Sequence, residues 1–293
     1  MLTVLLTLMG SQINAQEKKS GKKSEKKMAT HFRPNAVGAR PSIGVPIVRA
    51  TNGNTIPTGD RRPTLPFAPG EKLVYDVKYM GVSSGTAIFS VLDSIKMNGQ
   101  EVYPLLSTAQ SGDFSSVFYA VNDRVESYLD VHGLYSHAIK VQQHEGKKKR
   151  NKQIKFNQVE HKAIQTENAE QQIFDIPSNV NDSLSSLYIA RITPLTVGAS
   201  VFIDVHDGGK NYRLEVAVIK KEPIVTPIGI FDTVKVQATP HHAGTSSNKG
   251  NLTLWMTDDD KRIPVLMKSK IKFGSVTTTL ISRRDGTTQS KEG

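Results

Sequence analysis

Lys72-Leu73-Val74-Tyr75-Asp76-Val77-Lys78-Tyr79, residues 72–79, is the segment from which the architecture can be read. Leu73, Tyr75, Val77 and Tyr79 alternate with Lys72, Asp76 and Lys78, a period of two that belongs to a half-buried strand. Gly81 interrupts the run, and Ala87, Phe89 and Val91 resume the alternation around Ser90 before the turn signal Asn98-Gly99. Further strand-like runs are expected at about 101–110, 123–131 and 134–144. Ile154 and Phe156, alternating with Lys155, continue the pattern beyond the basic stretch 145–151, which is expected to form a hairpin tip. After residue 198, strands are expected at about 199–206, 211–222, 230–238, 251–257, 263–272 and 275–282, with Asp207-Gly208-Gly209 as a hairpin turn.

One helix interrupts this series, at about 182–192. Leu184, Leu187, Tyr188 and Arg191 recur at spacings of three and four, Asn181 or Asp182 can cap the start, and Pro194 stops it. Ser183, Ser185 and Ser186 are read as cap and surface residues, because no glycine-flanked elbow surrounds them. The expected fold is mainly β: an antiparallel meander curled into a barrel or half-barrel, with one short packed helix. A flat sheet this wide would leave one face uncovered.

The two ends differ from this domain. Residues 1–15 carry the apolar run Leu2, Val4, Leu5, Leu6, Leu8 and Met9 and the small residue Ala15, the pattern of a secretory signal peptide. The basic segment that usually opens such a peptide is missing, so a start upstream of Met1 is expected. Residues 16–66 read as a disordered, Pro-rich basic leader, and the β domain is placed at 67–283 with a polar tail at 284–293. The chain has a formal net charge of +11. From Glu17 to Arg62 eleven basic side chains stand against three acidic ones, a net of +8, and residues 145–155 add six against one, +5. The remainder is therefore close to neutral. Lys18, Lys19, Lys22, Lys23, Lys26 and Lys27 suit an anionic membrane surface, whereas nucleic acid is not expected because no stacking aromatics lie among them.

Cysteine is absent, which excludes disulfides, thiolate zinc sites, a cysteine nucleophile and a lipidated cysteine in this sequence. The expected location is the periplasm or cell envelope, as a soluble protein without a lipid anchor. Thr257-Asp258-Asp259-Asp260-Lys261-Arg262 is the most reactive-looking stretch, and Asp258, Asp259, Asp260 and Arg262 form a candidate polar site. Consecutive side chains of an extended strand face opposite ways, so a structured turn is favoured over a cation site, with Lys261 and Arg262 as counter-charges. His241 and His242 adjoin in an apparent loop, while His132, His137, His144 and His161 are scattered. No metal ligand set, cofactor fingerprint or phosphate loop is implied.

Several motifs taken together resemble the DUF3108 family of exported bacterial proteins. They are Phe67-Ala68-Pro69-Gly70-Glu71, Gly85-Thr86-Ala87, residues 182–188 with Arg191 and Pro194-Leu195, Thr226-Pro227-Ile228-Gly229 and residues 254–265 with Gly274-Ser275-Val276. The resemblance covers about Phe67 to Ile281 and implies export, one β-rich domain and envelope residence. It supplies no catalytic residue. The functional expectation is a non-catalytic binding or carrier module for a lipid or other amphiphilic or glycan ligand, with Tyr75, Phe89, Trp255 and Met267 among the inner, ligand-facing positions. The alternatives are an envelope hydrolase using the aspartates or His241 and His242, and a scaffold tethered by its basic leader.

Overall fold

The computed structural model describes residues 64–112, 116, 120–242, 245–246, 252–271 and 274–287. The expected signal peptide, nearly all of the leader and the last residues of the tail lie outside them. The strands are β1 (Lys72–Tyr79), β2 (Val82–Val91), β3 (Ile95–Met97), β4 (Gln100–Ser111), β5 (Asn122–Asp130), β6 (Ser136–Glu145), β7 (Lys148–Asn157), β8 (Lys162–Glu167) and β9 (Glu170–Asp175). The helix α1 (Ser185–Ile192) follows. Then come β10 (Ser200–Asp207), β11 (Lys210–Thr226), β12 (Gly229–His242), β13 (Thr245–Ser246), β14 (Leu252–Thr257), β15 (Pro264–Lys270) and β16 (Ser275–Arg284).

The described strands form one antiparallel sheet, in the order β10-β11-β12-β14-β15-β16-β1-β2-β4-β5-β6-β7-β8-β9, with β3 paired to β4 and β13 to β12 off this path. β1 pairs with β16, so the first and last strands meet in the middle and the two edges are β10 and β9. The connection that carries α1 joins those edges. The sheet curls until they approach without pairing, as an open barrel. At the seam Asn211 Nδ2 donates to Asp175 O at 2.7 Å, and Phe174 lies 5.5 Å from the His206 ring. Gly209 has φ +75°, and a Cβ there would stand 2.8 Å from the Phe174 ring, so both conformation and contact require glycine.

The α1 connection fills the rest of the seam. Asn181 bridges β10 in parallel, with Asn181 N donating to Asp204 O and His206 N donating to Asn181 O, each at 2.9 Å. On the other side Ser136 N of β6 donates to Val180 O, and the Gln158 amide bonds both Ser136 O and Val180 O.

Local expectations are refined in three places. The basic stretch does form a hairpin tip, with Lys147, Lys148 and Lys149 exposed, but its turn is only Gly146-Lys147, and Arg150 and Lys152 lie within β7, half-buried and buried. Short polar strands β8 and β9 follow, joined at Asn168-Ala169, both at positive φ, where no glycine announces the turn. Ser183, Ser185 and Ser186 are buried rather than at the surface, because the start of α1 lies under the sheet.

Inward residues form continuous cross-strand rows. Val77, Thr278, Met267, Leu254, Val236 and Val218 are register partners across β1, β16, β15, β14, β12 and β11, and all are buried. α1 closes this core through Leu184 and Tyr188, with Phe67 edge-on to Tyr188 at 4.9 Å. Arg191 is 1% exposed and makes a two-pronged ion pair with Glu71, Nη1–Oε1 2.7 Å and Nη2–Oε2 2.8 Å. The same guanidinium donates to Pro66 O and Lys261 O, each at 3.0 Å. Removing one partner would leave a buried charge uncompensated. Arg191→Met should therefore lower unfolding stability by about 3–5 kcal/mol, read by urea denaturation, and the Glu71→Leu/Arg191→Met double variant should recover part of it. Equal losses in the single and double variants would refute the coupling.

Candidate functional site

The structure places the sequence-derived residues in three separate environments. Tyr75, Phe89 and Met267 are core: Tyr75 stands edge-on to Phe89 at 5.5 Å and donates its hydroxyl to Pro264 O at 2.8 Å. Trp255 is buried as well, at 6% exposure and in the same apolar cluster, but on the other face of its strand. Leu254 and Met256 take the inward positions of β14, and Trp255 faces the other way, opposite Lys235 and Leu266. There its Nε1 donates to Glu222 at 2.8 Å, and Lys235 and Lys268 lie over its ring at 4.9 and 5.5 Å. Strand alternation makes adjacent inward positions at 254 and 255 incompatible, which corrects the expectation that Trp255 lines the interior.

The aspartate cluster is a turn. Asp259 Oδ1 accepts from the Thr257 hydroxyl at 2.6 Å and from the backbone N–H groups of Lys261 and Arg262, both at 3.0 Å. Asp258 pairs with Lys221 at 2.6 Å, and Asp260 is exposed. Arg262 is not a counter-charge to these aspartates. Its backbone turns to φ +45°, and its guanidinium donates to Arg191 O at 3.1 Å and to Thr193 O, carbonyls left open by the end of α1. Turn and helix thus exchange arginines: Arg262 serves the helix terminus, and Arg191 serves Lys261 O.

His241 pairs with Glu215 at 2.7 Å on the far part of β12. Asp258 N is bonded to Asp232 O, and nine residues of extended strand, roughly 30 Å, separate Asp232 from His241. The His241–His242 pair and the aspartate turn therefore cannot share one substrate. Among the described residues no group of three or more metal-ligating side chains is assembled.

A different constellation emerges where the inner face approaches the seam. One inward row runs Leu73, Phe89, Ser107, Val125, Val141, Lys152 and Glu167 across β1, β2, β4, β5, β6, β7 and β8, and ends opposite Glu170 of β9. Its chemistry changes from apolar to charged along the way. Lys152 is buried against Asp207 of β10, an ion pair that spans the seam. Arg150 grips Glu167 at 2.6 and 2.9 Å, and this bond holds the Glu167 carboxyl below its ordinary pKa. His206 is buried beside Phe156 and Phe174, and burial depresses its pKa. At the open end of this region Gln165, Glu167, Asn168, Glu170 and Gln172 line a cleft of about 250 Å³. Gln165 Oε1 is buried with no hydrogen-bond partner inside the protein. The sequence concealed this group, because its members come from four strands and Arg150 and Lys152 sit in what reads as a basic loop.

Asp182 anchors the start of α1 nearby. Its Oδ2 accepts from the Ser127 and Ser136 hydroxyls at 2.6 and 2.7 Å, and its Oδ1 accepts from Leu184 N and Ser185 N at 2.8 and 2.9 Å. The serines here act as ligands of a structural carboxylate.

The model of the DUF3108 family, described as a protein of unknown function, matches residues 74–281, well over half of the chain. The chain belongs to the DUF3108 family. No curated protein matches the sequence. Among solved structures, this DUF3108 domain is similar to a β-barrel-like DUF1849 protein from Brucella abortus, with TM-score 0.52 and 9% identity over 76% of this chain and 99% of that one. That likeness concerns the fold. Two weaker matches are a candidate lipoprotein from Parabacteroides distasonis (TM-score 0.34, 12% identity, 76% of this chain and 100% of that one) and a candidate exported protein with a YmcC-like fold from Bacteroides fragilis (TM-score 0.30, 10% identity, 77% and 100%).

In this DUF3108 domain burial raises the Asp182 pKa above its ordinary 3.8. The folded state then holds the Asp182 proton to higher pH than the unfolded chain does, so Asp182 removes stability as pH climbs from about 3.8 through the folded pKa. Asp182→Asn should abolish that part of the slope in chemical denaturation curves across this range. An unchanged slope would contradict the assignment.

Proposed function

We propose that this DUF3108 domain is a non-catalytic binding module of the cell envelope, and that it holds a polar, hydroxyl-rich ligand of the glycan class at the seam beside β8 and β9. The observation that carries the reading is the inner row that turns from apolar at Leu73 and Phe89 to charged at Lys152, Glu167 and Glu170. Inward strand positions are normally apolar, and breaks in that rule concentrate at functional sites. Amide and carboxylate side chains together donate and accept hydrogen bonds, which matches hydroxyl groups that do both. Arg150 fixes the Glu167 carboxylate in advance, so less ordering remains for binding.

The apolar-ligand version draws no support from its named residues, since Tyr75, Phe89 and Met267 pack into the core and Trp255 faces the other side. A hydrolase that used the aspartate turn and the histidine pair together draws no support, since Asp232, which holds the turn, stands nine residues along β12 from His241. Envelope residence rests on the apolar run and small residue at 1–15, and no described helix is long and apolar enough to cross a membrane.

The test is titration of the full chain with soluble peptidoglycan fragments, followed by calorimetry or NMR. Saturable binding is expected. Glu170→Ala with Gln172→Ala, both exposed, should weaken it at least about tenfold, the scale of a lost charge-assisted hydrogen bond, with Tm unchanged. Absence of binding, or binding indifferent to both substitutions, would sink the proposal.

A further inference from the structure

The turn of the β10–β11 hairpin, Asp207-Gly208-Gly209-Lys210, reaches across the seam and grips the opposite edge. Asp207 pairs with Lys152 of β7, and Gly209 lies against the Phe174 ring of β9. Asn211 Nδ2 donates to Asp175 O at 2.7 Å. Between these contacts His206, at 0% exposure, stands 6.1 Å from the Phe156 ring and 5.5 Å from the Phe174 ring.

The bonding fixes the proton on His206. A carbonyl only accepts, so the Asn211 amide nitrogen faces Asp175 O, and its Oδ1 is left to accept from His206 Nδ1, 2.7 Å away. In the neutral ring Nδ1 therefore carries the hydrogen and Nε2 is a bare lone pair. That nitrogen is buried with no hydrogen-bond partner inside the protein. A second proton there would create a charged donor among aromatic rings with nothing to accept it. Burial accordingly depresses the His206 pKa. The closed turn excludes the imidazolium, and a turn displaced into water admits it.

The charged neighbours do not reverse this. Asp207 favours the imidazolium and Lys152 opposes it, and the two are paired with each other. The Asp175 carboxylate pairs with Lys162 at the surface. Glu167, held by Arg150 below its usual range, keeps its charge in mild acid. Asp182, beside Asn181, has the opposite sign: burial raises its pKa, so its protonation favours the folded, closed form.

We infer, on the reading of the cleft as a binding site, that this turn is an acid-released latch on that site, with His206 as the group that senses the proton. Closed, it fixes Phe174 and Asp175 of β9, the strand that supplies Glu170 and Gln172 to the cleft. It also holds Asp207 against Lys152, the register partner of Glu167. Released, it frees β9 and leaves Lys152 unpaired, so ligand held at neutral pH is let go in acid. In the open turn His206 titrates near its ordinary 6.5, and in the closed turn lower. The closed form binds fewer protons in that window and loses stability as pH falls through it. From about pH 7.5 to about pH 5 the ratio of open to closed molecules rises by up to about thirtyfold.

The experiment is amide hydrogen exchange on the full chain without ligand, at about pH 7.5 and about pH 5. His206 N donates to Asn181 O, and Asn181 N to Asp204 O. After correction for intrinsic rates, protection of these two amides should fall in acid by up to about thirtyfold, and that of the core Met267 amide by less. His206→Gln, which cannot take up the proton, should remove the difference, and Asn211→Ala should expose both amides at either pH. At neutral pH the long-range nitrogen–proton NMR spectrum of the parent should show hydrogen on Nδ1 and none on Nε2. Soluble peptidoglycan fragments should bind the parent more weakly in acid and His206→Gln equally at both pH values. Unchanged protection in acid, or a proton on Nε2 at neutral pH, would overturn the inference even where fragments bind. Protection that falls while the parent binds fragments equally at both pH values would break the link between latch and site. Protection that falls with no fragment bound at either pH would support the latch and sink only the glycan reading.

Discussion

The ion pair between Arg191 and Glu71 is the constraint around which the molecule is organised. A guanidinium with almost no solvent contact is costly to bury unless every donor finds an acceptor, and here the carboxylate of Glu71 and the carbonyls of Pro66 and Lys261 supply them. Those acceptors belong to the segment entering β1 and the turn leaving β14, parts of the chain far apart in sequence. One side chain on the last turn of α1 thus fixes the helix against the sheet and the leader's entry against the aspartate turn. Phe67 and Tyr188 flank the guanidinium at 5.5 and 5.4 Å and shield the pair from water.

The helix has to lie there because of the order of the strands. Pairing β1 with β16 puts the first and last described strands in the middle of the sheet and leaves β9 and β10 as edges. An unpaired edge exposes backbone donors and acceptors, and a barrel removes the problem only by closing. This sheet does not close on itself. It uses the connection between its two edge strands as the filler, with Asn181 bonded to β10, Val180 to β6 and Asp182 capped by serines of β5 and β6. Where the filler ends, the inward face turns polar, and the buried Lys152–Asp207 pair ties β7 to the β10 edge across the remaining gap. Openness of the barrel and polarity of the cleft are two aspects of one topology.

The readable part of the sequence was the part governed by local periodicity. Leu73, Tyr75 and Val77 announced β1 by alternation, and Asp182 with the spacing of Leu184, Leu187, Tyr188 and Arg191 announced α1. β8 and β9 escaped because their inward positions are polar, which erases the alternation, and because Asn168-Ala169 adopts a glycine-like turn without glycine. The same polarity that hid these strands makes the cleft. Trp255 was misplaced for a related reason: in the run Leu254-Trp255-Met256 every residue is apolar, so alternation gives no phase, and only the cross-strand register with Lys235 and Leu266 assigns its face.

Composition and local pattern by themselves determined a mainly β domain, the helix α1 with its cap and stop, and the family to which the chain belongs. Tertiary structure alone decided which strands are edges, that Arg191 meets Glu71 across 120 residues, and that Arg150, Lys152, Glu167 and Asp207 converge. The physical reason is range. Hydrophobic period, turn chemistry and capping act over a few residues, whereas a buried charge is satisfied only by a partner that the closing of the sheet brings to it.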